Sequence, residues 1–275
     1  MSNKVWFITG ASRGFGKIWA TAALQRGDKV AATARNLSAL DELAAEYGER
    51  FLPLSLDVTD RAAVFAAVNA AHQYFGRLDV VLSNAGFGYM AAIEEAEEAD
   101  TRATFETNVF GTLSVIQAAL PILRAQGSGH ILPVSSVAGL VAMPTSGIYE
   151  AAKFAVEGMA EALAAEVAQF GIHVTIIEPG GYATDFLSGS SLKTAPPIAA
   201  YDQLRADLAA MLTPDQLGKP EASAAAILQV VDAPKPPLRL ILGDLLHLVE
   251  QVYEQRLQTW REWDAVSCAA KGETL

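Results

Sequence analysis

The chain has 275 residues, 51% hydrophobic and 19% charged, with 20 Lys+Arg against 31 Asp+Glu and a formal net charge of −11. That length suits one large α/β domain or two small ones with a substantial core, and the acidic balance argues against a phosphate backbone as partner. The single cysteine, Cys268, excludes a disulfide scaffold and cysteine-rich metal centres and favours a reducing compartment. The opening Met-Ser-Asn-Lys-Val lacks a signal-peptide layout, and no uninterrupted apolar run reaches membrane-spanning length. A cytoplasmic protein that engages neither nucleic acid nor membrane is expected.

Short apolar or β-branched runs alternate with Ala/Leu-rich stretches of 3.6-residue periodicity. In chain order they predict strand Val5–Thr9, helix Gly16–Gln25, strand Lys29–Ala34, helix Ser38–Tyr47, strand Phe51–Leu56 and helix Arg61–Tyr74. Strand Asp79–Ser83, helix Thr101–Arg124, strand His130–Ser135, helix Ser146–Phe170, strand His173–Glu178, helix Glu221–Asp232 and strand Leu238–Leu242 follow. Strands apolar on both faces and separated by helices imply an α/β fold: a doubly wound parallel sheet of about seven strands, helices on both faces, ligands at the carboxyl ends. Residues 1–243 read as one domain. Within it, the Gly/Ser/Pro-rich stretch 185–220 interrupts the rhythm at the ligand edge and predicts a substrate lid. Residues 244–275 form an extension whose Leu245–Trp263 segment reads as a helix.

The first strand runs into Thr9-Gly10-Ala11-Ser12-Arg13-Gly14-Phe15-Gly16 and then directly into a helix. Glycines there permit a tight turn whose backbone N–H groups approach a pyrophosphate at the helix N-terminus. Gly10-Ala11-Ser12-Arg13-Gly14 also fits the Gly-x-Ser-x-Gly elbow of α/β-hydrolases, but Ser12 follows the first strand, with nothing upstream to complete an oxyanion hole. The spacing Thr-Gly-x-x-x-Gly-x-Gly resembles the cofactor loop of the compact short-chain dehydrogenases/reductases, and further motifs match in order from about Lys4 to Thr184. The resemblance implies a Rossmann fold, with Gly10, Ser12, Arg13, Gly14, Phe15 and Gly16 lining a nicotinamide dinucleotide.

At the end of the second strand, where an acid would bind an adenosine ribose, Ala34-Arg35-Asn36 has none. Arg35 and Arg13 frame that position and suit a 2′-phosphate, so NADP(H) is expected ahead of NAD(H). Asp57 and Val58 resemble the family's adenine contacts; alone, Asp57 reads equally as a helix N-cap. Asn84-Ala85-Gly86 resembles the segment beside the cofactor, with Ser83 in place of an asparagine, and Pro179-Gly180 with Thr184 resembles the segment along nicotinamide.

Tyr149 and Lys153 stand at i and i+4, so phenol and ammonium share a helix face, where the ammonium is expected to lower the tyrosine pKa. The family resemblance makes Tyr149 the proton donor, Ser136 the group that polarises the substrate oxygen, Lys153 the ribose and tyrosine partner, and Asn108 the support of the proton path. Pro133 departs from the pattern by removing a donor from a central strand, and Glu150 is expected to point away from the reacting face. Phe87, Tyr89, Met143, Tyr182 and Phe186 fall in loops bordering the pocket and suit an apolar substrate. His72, His130, His173 and His247 lack metal-ligand spacing, and the run Glu94, Glu95, Glu97, Glu98 and Asp100 reads as a solvated helix start.

The function expected is an NADP(H)-dependent carbonyl reductase or alcohol dehydrogenase acting on a small carbonyl/alcohol substrate, in a homodimer or homotetramer. The alternatives are a non-catalytic NADP(H)-binding sensor or scaffold and a serine hydrolase on Ser12.

Overall fold

In chain order the elements are β1 (Val5–Ile8), α1 (Gly14–Gln25), β2 (Lys29–Ala34), α2 (Asp41–Tyr47), β3 (Phe51–Ser55), α3 (Arg61–Phe75), β4 (Val80–Ser83), β5 (Gly88–Met90), α4 (Glu98–Phe105) and α5 (Thr112–Gln126). They continue with β6 (Gly129–Pro133), α6 (Gly147–Val167), β7 (Ile172–Val174), β8 (Ile176–Pro179), β9 (Leu192–Thr194), α7 (Asp202–Met211), α8 (Ser223–Asp232), β10 (Arg239–Leu242), α9 (Leu246–Glu262) and α10 (Asp264–Ala269). The computed structural model describes residues 3–184, 186, 189–211 and 217–272; Asp185, Leu187, Ser188 and 212–216 of the expected lid lie outside the described residues.

β1 shows how the layers arise. Val5 and Phe7 face one apolar cluster, Trp6 and Ile8 another, and all four are buried. Side chains that alternate and are apolar on both faces require helices above and below. The first cluster packs under α3, α5 and α6 through residues such as Val68, Leu123 and Leu163, and the second under α1, α2 and α8 through Trp19, Leu43 and Ile227.

The main sheet is parallel with strand order β3-β2-β1-β4-β6-β7, as the doubly wound reading requires. β8 pairs with β10, and the Ser135 N–H donates to the Ile177 carbonyl at 2.8 Å, which carries the sheet to a seventh position. The single strand expected over His173–Glu178 is broken at Thr175, and Pro133 explains the break. On this side of β6 the Thr175 N–H donates to Ile131 O and the Ser135 N–H to Ile177 O, so the intervening donor belongs to residue 133, where proline has none.

The helix expected over Thr101–Arg124 runs continuously over Glu98–Gln126, with a π-helical stretch at 106–111. It is long and apolar enough to cross a membrane by length and composition, yet more than half of its most apolar stretch is buried, consistent with a core helix. α9 packs Leu245, Leu248, Val249 and Val252 against Val137, Leu140 and Val141, and Arg256 donates to the Leu140 carbonyl at 2.9 Å. Beyond that contact, Leu257, Trp260 and Trp263 are exposed.

The acidic run before α4 is solvated at Glu94, Glu97 and Glu98, as its composition suggests, but not at Glu95. Glu95 is buried, accepts the N–H groups of Ala92 (2.8 Å) and Ile198 (2.7 Å), and forms an ion pair with Arg205 of α7. Glu94 accepts from the Tyr201 hydroxyl at 2.7 Å, Asp100 pairs with Lys193 at 2.5 Å, and β9 adds in parallel to β5. These contacts staple the 189–211 excursion to the sheet edge. Replacing Glu95 by Ala strands Arg205 and two backbone donors, so unfolding free energy should fall by about 3 kcal/mol. Limited proteolysis should then cut within 189–211, and an unchanged cleavage pattern would refute the staple.

Candidate active site

Parallel strands present all their carboxyl ends to one edge, and the chemically distinctive residues meet there. In the turn after β1, Gly10 and Gly14 have φ of +69° and +53°, the region that favours glycine. A Cβ on Gly16 would lie 2.3 Å from the Gly10 carbonyl oxygen, and one on Gly10 2.9 Å from the Ala85 Cα. Arg13 enters α1 in extended conformation without a side-chain cap, and the first helical turn holds no acid. The positive end of the α1 dipole is therefore left for an external anion. A cleft of about 650 Å³ opens beside it, bordered by Ser12, Arg13, Gly14, Lys17 and Thr184.

The turn after β4 is bound to this one. The Thr9 hydroxyl accepts the N–H groups of Asn84 (3.0 Å) and Ala85 (3.1 Å), while the Asn84 amide donates to the carbonyls of Thr9 (3.1 Å) and Gly10 (3.0 Å). Thr9 is thus a positioning residue to which the motif alone assigns no role; its place directly before the first glycine is the signal for it. Gly86 is required by Asn108, whose Oδ1 would be 2.9 Å from an added Cβ. Asn108 is buried in the π-helical stretch and clasps the next loop, accepting from Phe87 N (3.1 Å) and donating to Phe87 O (2.9 Å).

Asp57 does not cap the following helix. It accepts the Thr59 N–H and hydroxyl, closing a local turn, and Asp60 caps α3 instead by accepting from Ala63 N. Val58 is buried and sits where a side chain on Gly111 would be. Arg35 is exposed at the end of β2, and Arg13 donates to Ser191 of the lid at 2.7 Å. At the far side, Gly180 donates to the Leu242 carbonyl at 2.9 Å, and Leu245 leaves no room for a larger residue there. Pro179 is buried, and the Thr184 hydroxyl accepts the Phe186 N–H.

α6 carries the reactive pair. The Lys153 ammonium lies 5.6 Å from the centre of the Tyr149 ring and donates to the Val134 carbonyl at 2.9 Å. Tyr149 stands beside the Ser136 hydroxyl, which accepts from Ala138 N (3.1 Å) and donates to Pro179 O (3.2 Å). The Phe186 ring covers Tyr149 at a centroid distance of 5.6 Å. Glu150 is buried rather than merely turned away: it accepts from Met143 N and the Ser146 hydroxyl, holding the loop in which Thr145 has a φ of +68°. Tyr89, expected at the pocket rim, is wholly buried, with its hydroxyl accepting from Glu97 N.

Burial dominates the electrostatics. Desolvation pushes the Tyr149 phenol above its ordinary value, opposed only in part by the neighbouring Ser136 hydroxyl, and lowers the Lys153 ammonium to about 8. Burial outweighs any lowering that Lys153 alone supplies, since both groups are dehydrated and Lys153 directs a proton at a backbone carbonyl. Burial, with His173 adding to it, lowers His130 to about 3, and among the described residues no His/Cys/Asp/Glu cluster could hold a metal.

Residues 4–194 match the short chain dehydrogenase family. The chain belongs to that family. Oxidoreductase BOA17 of Botryotinia fuckeliana is 41% identical over 97% of this chain and 99% of its own length. The crystal structure of a short-chain dehydrogenase from Streptomyces avermitilis superposes with a TM-score of 0.91 at 38% identity, covering 98% of this chain and 99% of that one. An alcohol dehydrogenase from Thermococcus sibiricus complexed with 5-hydroxy-NADP (TM-score 0.74, 28% identity, 88% and 96% coverage) is also similar. So is a short-chain dehydrogenase/reductase from Burkholderia phymatum in complex with NAD (TM-score 0.80, 25% identity, 94% and 95% coverage). The protein is thus an oxidoreductase of the short-chain dehydrogenase family. The cramped glycine turn and uncapped helix fit a dinucleotide pyrophosphate.

Gly16→Ala should drive its methyl into the Gly10 carbonyl, cost about 1–3 kcal/mol of stability, and abolish nicotinamide dinucleotide binding in a fluorescence titration. Wild-type affinity in that variant would disprove the assigned cradle.

Proposed function

We propose that this protein is an NADP(H)-dependent carbonyl reductase that converts an apolar ketone or aldehyde to the alcohol and, in reverse, oxidises the alcohol. One observation carries the reading: a half-buried tyrosine beside a serine hydroxyl, with an ammonium against its ring, at the carboxyl edge of a dinucleotide fold. When bound, the nicotinamide supplies the hydride. Tyr149, held neutral by burial, is a loaded acid and gives its proton to the substrate oxygen. Ser136 fixes and polarises that oxygen, and Lys153 offsets the phenolate charge as it develops. Gly10, Ser12, Arg13, Gly14, Phe15 and Gly16 would hold the pyrophosphate side, Asp57, Val58, Asn84, Ala85 and Gly86 the adenosine side, and Pro179, Gly180 and Thr184 the nicotinamide. Phe186 and the stapled lid would exclude water above Tyr149.

The choice of NADP(H) rests on Arg35, exposed where an acid would oppose a 2′-phosphate, and on Arg13 across the cleft. A cytoplasmic homo-oligomer completes the proposal, supported by the exposed Phe110 and Phe154 on the two long helices.

Tyr149→Phe should lower kcat for NADPH-dependent carbonyl reduction by about 10²–10⁴-fold with NADPH affinity retained; full turnover in this variant would refute the mechanism. Arg35→Asp should weaken NADPH binding by about tenfold to a hundredfold and leave NADH binding within a few-fold, as removal of a charge-assisted bond predicts. Equal losses for both cofactors would refute the 2′-phosphate assignment. Because Lys153 sheds its proton near pH 8, the reductive rate should decline above that pH rather than near the ordinary lysine value.

A further inference from the structure

Behind Lys153, on the side away from Tyr149, lies a buried charge cluster that the reaction as described does not use. Glu157 stands one helical turn further along α6, and Glu178 on β8; their side chains are 6% and 1% exposed. Arg239 of β10 bridges them, forming an ion pair with Glu157 and lying 3.4 Å from Glu178 Oε1, while its other amino group reaches the exposed Glu161 at 2.6 Å. Glu157 Oε1, Glu178 Oε2 and the Ser135 hydroxyl are all buried, and Glu157 stands within hydrogen-bonding reach of both Ser135 and Glu178. Ser135 can supply a donor to Glu157 alone, so one shared proton reconciles the two facing carboxyl groups, and burial disfavours the doubly ionised pair. The space is closed by Gly139, where a Cβ would sit 2.6 Å from Ser135 Oγ and 3.0 Å from Glu157 Cγ.

We propose that Glu157 is a positioning residue for the reductase reaction: as the charged half of a proton-sharing pair with Glu178, clamped by Arg239, it keeps Lys153 in the ammonium form. The groups facing Lys153 are few. α6 contributes Tyr149 and Glu157, and the segment after β6 the Val134 carbonyl; Ser135, Glu178 and Arg239 stand around Glu157. Burial strips the proton from Lys153, and the Glu157 charge opposes that loss. In reduction Tyr149 becomes a phenolate as its proton passes to the substrate oxygen, and only a protonated Lys153 can offset that charge. Glu178 serves by retaining the shared proton, so that the pair carries one charge, which Arg239 balances, instead of two.

The proposal rests on the reductase reading for one of its two measurements. In Glu157→Gln the alkaline limb of kcat/KM for reduction should move down by about one pH unit, the shift expected from loss of a nearby opposite charge. Glu178→Gln, whose amide donates as the shared proton did, should leave the limb in place. Equal shifts in both variants, or none in Glu157→Gln, would overturn the assignment. The second measurement needs no turnover: the ¹³Cε resonance of Lys153, assigned by its loss in Lys153→Arg, is followed against pH. Its midpoint should fall in Glu157→Gln and hold in Glu178→Gln. In the wild-type protein it should share an inflection with the side-chain carboxyl carbons of Glu157 and Glu178, a readout that survives if Glu157→Gln does not fold; independent titrations would refute the coupling. Coupled resonances without carbonyl reduction would instead condemn the reductase reading and leave the Glu157–Lys153 link standing.

Discussion

The attachment of the turn after β1 to the turn after β4, through Thr9 and Asn84, is the constraint on which the site depends. β1 and β4 are neighbours in a parallel sheet, so their turns emerge side by side, but sheet pairing ends before either turn begins. Four hydrogen bonds between Thr9, Gly10, Asn84 and Ala85 extend the order past the last sheet residues. Gly10 and Gly16 are glycines because this junction leaves no volume for a side chain. Asn108 repeats the device one layer out by gripping the Phe87 backbone. The anion cradle and the reactive helix are thereby referred to one rigid edge.

Burial shapes the chemistry as much as proximity does. Burial shifts Tyr149, Lys153, Glu157 and Glu178 each toward its neutral form. A neutral phenol is what a reductive proton donor needs. A neutral lysine is not, and the carboxylate one turn behind it acts against that cost. Arg239, itself partly exposed, joins this interior group to the surface through Glu161.

Much of the fold was legible because its signals are local. Strand alternation, helix periodicity and the glycine spacing report on residues adjacent in the chain, and the Tyr149/Lys153 pair needs only helix geometry. Failures of the sequence reading came where a residue's partner is distant. Glu95 looked solvated beside four other acids, but Arg205 and the Ile198 N–H meet it from the lid. Of the two readings open for Asp57, the helix cap falls, because Asp60 is nearer the helix start and takes that role. Thr175 interrupts a strand because Pro133, on the neighbouring strand, lacks a donor.

By itself the sequence determined the doubly wound class, the family, the glycine turn after β1 and the Tyr149/Lys153 helix pair, since each is written in short-range spacing that backbone geometry converts directly into position. Tertiary structure alone decided the ionisation of those groups and the company they keep. Whether Tyr149 is raised or lowered depends on how much water and charge reach it. The meeting of Glu157 with Glu178 and Arg239 depends on which strands lie under α6. Dielectric and long-range contact belong to the packed molecule, and no local pattern encodes them.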